Sequence, residues 1–283
     1  MRISLFVAAA IGAGCILACA GQRPVRGPVD EVDVTFGAAP LAVGSKVRQV
    51  ETHHGTFDVH ASALGQSSSS SGTVDGREVR VEEVLASDAG ATTKLRVSYL
   101  EHTGATKTER EDKRDPADPR VGKTYVVEAA DPGPRVTDET GQPASPEETK
   151  LVQGDYRNLG TREPLFDELP ARPLHPGEEI DQICGAVRLV ADRHDVLLVE
   201  CSVTFEGRRG DDGVFEVRVD VESHNKLASA RIRLDGELLL RIADRQWTGF
   251  SGGGDIEIGA RGSVLKVRGG GHVDITIRRD VGR

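Results

Sequence analysis

The feature that most constrains this chain is period-two alternation of apolar and polar residues, repeated in run after run. Leu95, Val97 and Tyr99 oppose Lys94, Arg96 and Ser98. Leu197, Val199, Cys201, Val203 and Phe205 oppose Glu200, Ser202 and Thr204. Phe215, Val217, Val219 and Val221 face away from Glu216, Arg218 and Asp220, and Val273, Ile275 and Ile277 alternate with Asp274, Thr276 and Arg278. Strands with one wet face belong to antiparallel sheet. Asp75-Gly76, Asp88-Ala89-Gly90, Asp212-Gly213, Asp235-Gly236 and Gly252 to Gly254 fall between the runs as turn signals. The expected fold is all-β, a mainly antiparallel curved sheet or half-barrel with one or two accessory helices.

Two segments break the alternation. Ser145-Pro146-Glu147-Glu148 reads as a helix start, with Ser as cap, Pro at the first helical position and Glu148 reaching back. Leu151, Val152 and Leu159 would form its apolar side. In Gly177 to Ala191, the residues Ile180, Ile183, Cys184, Val187 and Val190 fall at helical spacing. An internal echo complicates the second reading: Pro40 to Val50 matches Pro173 to Ile183, with Pro, Leu, Gly and Gln in register. One copy reads as strand and the other as helix, and the sequence leaves that conflict open. The serine run Ser67 to Ser71 and the charged stretch Lys107 to Arg120 show no apolar periodicity and read as loops.

The N-terminus has the order of parts of an export signal: Arg2, an apolar run, then small residues to Ala20. Ile16-Leu17-Ala18-Cys19 resembles a lipobox, and Cys19 is the predicted lipid attachment. The alternatives are cleavage at Ala18-Cys19-Ala20 as an ordinary secretion site, or an uncleaved anchor from Ile3 to Ala20, which is short and interrupted by Gly12 and Gly14. Each buried acyl methylene contributes about 0.8 kcal/mol, so more than one chain holds a protein stably on a bilayer. The predicted organisation is 1–20 signal, 21–39 tether (most clearly Gly21 to Pro28), 40–172 a first β half and 173–283 a second β half in the same body. Ala20, not Asp, follows the cysteine; the resemblance of this leader to those of Gram-negative lipoproteins implies the outer membrane as the address, with a soluble secreted or periplasmic protein as the alternative.

The formal net charge of −9 makes nucleic acid and anionic membrane surfaces poor partners through simple electrostatics. Only 4% of residues are aromatic, so the core must be built from Val, Leu and Ile. Cys15 and Cys19 lie in the signal; Cys184 and Cys201 remain in the body, and outside the cytoplasm such a pair is expected to be oxidised.

Cys19, Val43-Gly44, Tyr125-Val126-Val127, Ser145 with Glu148, the Leu169-Pro170…Pro173-Leu174…Gly177 linker and the final run of strands occur in an order that resembles predicted lipoproteins of myxobacterial type, whose function is not established. More distantly the chain resembles periplasmic half-barrels that carry lipid or lipoprotein. The resemblance implies a curved sheet and a lipid anchor, and it brings no catalytic residue.

Other candidate sites reduce to structure. His53, His54 and His60 could suggest a metal, but Asp58 is the only close carboxylate and no cysteine is near, so no metal and no cofactor is expected. Arg209-Gly210-Asp211 is good turn chemistry. Gly252 to Gly254 and Gly269 to Gly271 open no helix and are not phosphate loops. Trp247 either packs in the core or lines a concave face. Glu82-Glu83 and Asp211-Asp212 alternate faces or sit in turns, and no Gly-x-Ser-x-Gly is present. The expectation is a non-enzymatic envelope lipoprotein, joined to the membrane by its lipid, that binds an apolar ligand or another envelope component in the concavity. The alternative is an assembly partner acting through a sheet edge.

Overall fold

The computed structural model describes residues 27–37, 39–63, 66–162, 169–181, 183–185, 196–224, 228–261 and 265–282. Cys15, Cys19, the Gly21–Arg26 part of the tether and the 186–191 end of the second predicted helix lie outside these residues. The described strands are β1 (Lys46–Ala63), β2 (Gln66–Asp88), β3 (Ala91–Thr108), β4 (Asp112–Arg114), β5 (Thr124–Glu128), β6 (Arg135–Asp138), β7 (Glu178–Glu179), β8 (Val196–Arg209), β9 (Asp212–His224), β10 (Ala228–Arg241), β11 (Trp247–Arg261) and β12 (Leu265–Gly282). A helix, α1, spans Pro146–Asp155.

All twelve strands form one antiparallel, open, curved sheet in the order β6-β5-β3-β2-β1-β12-β11-β10-β9-β8-β7, with β4 on β3. The two sequence halves meet where β1 pairs with β12 along its whole length, from Lys46↔Gly282 to Ala63↔Leu265.

Glycine sets the curvature. Gly236, Gly252, Gly254, Gly269, Gly271 and Gly72 all project to the same face by register. A Cβ at Gly254 would lie 1.9 Å from the Arg233 carbonyl oxygen, at Gly271 2.1 Å from that of Thr56, and at Gly72 2.2 Å from that of Lys107. Each of those carbonyls belongs to the adjacent strand, so the neighbour leans over this face and the sheet bends towards it. On the opposite face, a Cβ at Gly249 meets neighbouring backbone no closer than 3.2 Å, and one at Gly270 no closer than 3.4 Å. Glycines in strand interiors mark such bends. This corrects the turn reading of Asp75-Gly76, Asp235-Gly236 and Gly252 to Gly254: all lie inside β2, β10 and β11. None of these glycines has positive φ; they serve close approach, not chain reversal. The true reversals include Ala89-Gly90, with φ of 47° and 85°, and Gly210, with φ of 62°, in the Arg-Gly-Asp segment.

The concave face is covered at both ends. On the β8–β10 side, Val203, Phe205, Phe215, Val217, Val219, Val221 and Leu240 pack against Val34, Phe36, Leu169, Leu174, Ile180 and Ile183. Residues Asp30 to Phe36 were expected in the tether. They instead form a strap across the sheet, bridged at Asp30↔Arg208 and Val34↔Leu174, with Phe36 almost fully buried. Val32, Val34 and Phe36 alternate with Asp33 and Thr35 over only five residues, and their partner is distant in sequence. On the β3–β5 side, Leu95, Val97, Tyr99, Tyr125 and Val127 pack against Val152 and Tyr156 of and beside α1. The Ser145–Glu148 capping box predicted for α1 is present with Pro146 in its first turn; Val152 and the capping Glu148 are buried while Leu151 faces outward.

The echo resolves as a shared turn followed by different continuations. Gly44 and Gly177 occupy equivalent positions with φ of 88° and 82°, and their N–H groups bond the carbonyls of Val84 and Phe205. The first copy runs on as β1. The second forms only the two residues of β7 and then turns helical, at 181 and at 183–185 among the described residues. The helix read from Gly177 therefore starts later. The predicted shared face of β8 also needs correction: a bulge between Leu198 and Glu200 exposes Leu197 and Val199 and turns Leu198 inward with Cys201. The serine run is strand, paired to β1 from Ser71↔Asp58 to Ser67↔Ser62, because β1 offers a full-length partner.

Cys184 and Cys201 form a disulfide, Cα–Cα 5.7 Å, joining the helical turn to β8. With a sequence separation of 17, the chain-entropy model gives about 3 kcal/mol. A Cys184→Ser/Cys201→Ser variant is expected to lose about that much in urea unfolding; a loss under about 0.5 kcal/mol would show that packing alone holds the turn on the sheet.

Candidate binding surface

Between the two covered wings the concave face has two zones. The first is apolar. Leu234, Val273 and Ile275 form a third buried cluster with Phe250, Ile256 and Ile277, all from β10, β11 and β12. Among the described residues no helix or strap belongs to this cluster. Its floor continues over bare backbone at Gly252, Gly254, Gly269, Gly271 and Gly55. The few side chains there lie flat: a Cβ on Gly72 would touch the Phe57 ring at 2.9 Å, and one on Gly236 the Phe250 ring at 2.6 Å. The result is a trough of glycine backbone edged by Phe57, Val59, Ile256 and Val273.

The second zone is a buried ionic network, which the sequence reading missed. Glu78, Arg80 and Glu82 follow at every second position of β2, and Arg80 bridges them at 2.9 Å and 3.1 Å. Arg120, buried, forks onto Asp118 through Nε (3.0 Å) and Nη2 (2.6 Å), and its Nη1 reaches Asp155 at 2.5 Å. Asp155 also accepts the Tyr99 hydroxyl at 2.6 Å, and Glu82 accepts that of Tyr156 at 2.7 Å. The Arg120 guanidinium lies 4.4 Å over the Tyr99 ring, and that of Arg279 4.5 Å over Trp247. Trp247 therefore does both things foreseen for it: it packs on the core and edges the concave face. Two devices assemble the network. A bulge between Val79/Arg80 and β3 lets Tyr99 and His102, of opposite strand parity, reach the same face. The loop after β4, inside the stretch expected to be free of structure, delivers Asp118 and Arg120.

Burial disfavours ionisation of Glu78, but its hydrogen bond to His102 and the nearby Arg80 and Arg120 outweigh it and hold the carboxyl below the usual range. Asp118 is likewise depressed, the Arg120 hydrogen bonds overcoming desolvation. Asp155 goes the other way, raised chiefly by burial. His102 is raised, first by its bond to Glu78. With every carboxylate held by arginine, tyrosine or histidine, the network is a rigid polar plug beside the trough.

The three candidate histidines separate. His53 lies on the concave face against Gly76, its pKa lowered mainly by burial. His54 and His60 are on the convex face, bonded to Asp75 at 2.7 Å and to Ser69 at 2.8 Å. Among the described residues no group of His, Cys, Asp and Glu is placed to hold a metal. Glu82 and Glu83 do take opposite faces: Glu82 joins the network and Glu83 pairs with Arg96 at 2.8 Å.

No family model matches the chain, and no curated protein does. Among solved structures it is similar to lipovitellin, in a structure describing lipid–protein interactions, at 8% identity and TM-score 0.37 over 84% of this chain. The match spans only 25% of that chain's length, and a superposition this loose carries no argument about fold family or ligand.

Proposed function

We propose that this chain is a non-enzymatic cell-envelope lipoprotein, held on the outer membrane through acyl chains on Cys19, whose concave face takes up an apolar chain along the glycine trough. One observation carries the binding half of this reading: the third apolar cluster is made of sheet residues alone, and among the described residues no strap or helix covers it as the other two clusters are covered. Bare backbone at Gly252, Gly254 and Gly271 leaves width for a methylene chain, and the adjacent charged network supplies a polar end. The export signal with its Ile16-Leu17-Ala18-Cys19 motif supports the address.

Titration of the mature protein with a fluorescent fatty acid tests the trough. Saturable binding is expected, weakened tenfold or more in Ile256→Glu, which places a carboxylate at the trough's edge. Unsaturable signal, or equal binding in the variant, would remove the apolar-ligand reading. The address is tested separately: labelled palmitate should enter the protein and be lost in Cys19→Ser.

A further inference from the structure

A cavity opens at the lower edge of the sheet, lined mainly by convex-face residues, with Phe250 and Ile277 of the trough strands behind it. It has a volume of about 540 Å³ at the foot of β10, β11 and β12, beside the β8–β9 turn. Its floor is small because Gly249, Ser251 and Thr276 sit side by side in register, Ser251 opposite Thr276 and Gly249 next along the strand. Much of its charge is already engaged. Arg209 is clamped to Glu237 by two bonds of 2.5 Å and 3.0 Å, Arg241 holds Asp244, and Asp212 accepts the Thr248 hydroxyl at 3.0 Å. Three charged side chains in the lining make no such bond: Arg278 and Asp280, two residues apart on one face of β12, and Asp211 from the turn on the other side. A guanidinium with one unengaged carboxylate beside it on β12 and another in the turn opposite complements a small dipolar ligand, with an anionic group at one end and a hydrogen-bonding ammonium at the other.

The cavity's place along the chain indicates where such a ligand comes from. Gly27 approaches the Arg209 side chain, a cavity wall, within 3.9 Å of where its Cβ would be. Asp30 and Arg208 exchange backbone hydrogen bonds of 2.8 Å and 2.9 Å, which fixes the strap at this corner. Gly27 is eight residues after Cys19, a span of at most about 28 Å for extended chain. A lipid on Cys19 would hold this corner within that distance of the bilayer surface.

We infer that the cavity is a site for a phosphoethanolamine-type lipid headgroup, with Arg278 on the phosphate and Asp211 and Asp280 on the ammonium. The source of the headgroup rests on the lipid anchor; the site's chemistry does not. Calorimetry on the mature protein with glycerophosphoethanolamine is the test, with glycerophosphocholine, inorganic phosphate and diglycine as parallel probes. Saturable binding of the first is expected, at least tenfold weaker in Arg278→Gln and in Asp211→Asn, and weaker for the choline compound, whose quaternary nitrogen donates no hydrogen bond. Both substitutions alter exposed side chains, so circular dichroism should be unchanged. The inference is overturned if glycerophosphoethanolamine does not bind, if either variant binds it as well, if phosphate alone binds equally, which would make this a plain anion site, or if diglycine binds equally, which would make the ligand a peptide end. Failed palmitate labelling beside normal headgroup binding would overturn the anchor and keep the site, while normal labelling without headgroup binding would overturn the site and keep the anchor.

Discussion

Replacing Phe205 with alanine is expected to cost about 3–5 kcal/mol, the range for truncating a fully buried aromatic. Phe205 has no exposed surface and sits where the strap crosses the sheet. Its ring centroid lies 5.2 Å from that of Phe215 and 6.1 Å from that of Phe36, the latter edge-on. Truncation removes both aromatic contacts and leaves a void between three segments far apart in sequence. The strap is fastened at few backbone points, so it should be released first. Urea unfolding measures the global loss, and hydrogen exchange at Val34 and Gly37, whose N–H groups bond Leu174 and Ile242, reports the strap. A loss below about 1 kcal/mol, with both amides still protected, would contradict the packing of Val34 and Phe36 on the sheet.

Arg120→Gln is expected to be of similar size, about 3–5 kcal/mol near neutral pH, because removing one partner of a buried ion pair leaves the other charge uncompensated. Here two carboxylates, Asp118 and Asp155, lose their shared guanidinium. The pH dependence has a definite sign. Asp118 and Glu78 have depressed folded pKa values. Their contribution in the native protein is present above the ordinary carboxylate pKa of about 4 and is lost as pH falls through the depressed values. His102 is raised, so its contribution is complete below about 6.5 and fades as pH rises through its folded value. Asp155 is already raised by burial and opposes folding as it ionises. Without Arg120 its pKa rises further, so it takes up a proton sooner on acidification. The difference between native and variant protein should therefore shrink between pH 7 and pH 5. Urea midpoints at those two values decide it: a gap that stays constant or widens would show that Asp155 is not the carboxylate left exposed to the loss. Arg120→Lys should recover only part of the stability, since one ammonium cannot replace the fork on Asp118 together with the contact to Asp155.

Both predictions involve contacts that the sequence did not disclose. Phe36 reads as part of a tether because Pro24, Gly27 and Pro28 precede it and its alternation with Val32 and Val34 covers only five residues; nothing local names a partner at Leu174 or Phe205. Arg120 lies at the end of a charged, proline-containing stretch that reads as solvated. The network it completes needs a bulge that places Tyr99 and His102 on one face, and a bulge breaks the very parity from which faces are read. The same limit hid the exposure of Leu197 and Val199. Where an interaction is local, the reading was accurate. The Ser145–Glu148 cap closes within one helical turn, and the opposed faces of Glu82 and Glu83 follow from strand parity alone.

The sequence by itself determined that this chain forms antiparallel sheet, where α1 begins, and that Cys184 and Cys201 are the pair available for a bond, because alternation, capping and cysteine number act over a few residues or by count. Only the tertiary structure decided which face is concave, that glycines inside strands bend the sheet and do not end it, that a strap fills one wing, and that a charged network closes the other side of the trough. Those outcomes depend on which distant strands become neighbours, and on how closely one backbone can approach another where no Cβ stands between them.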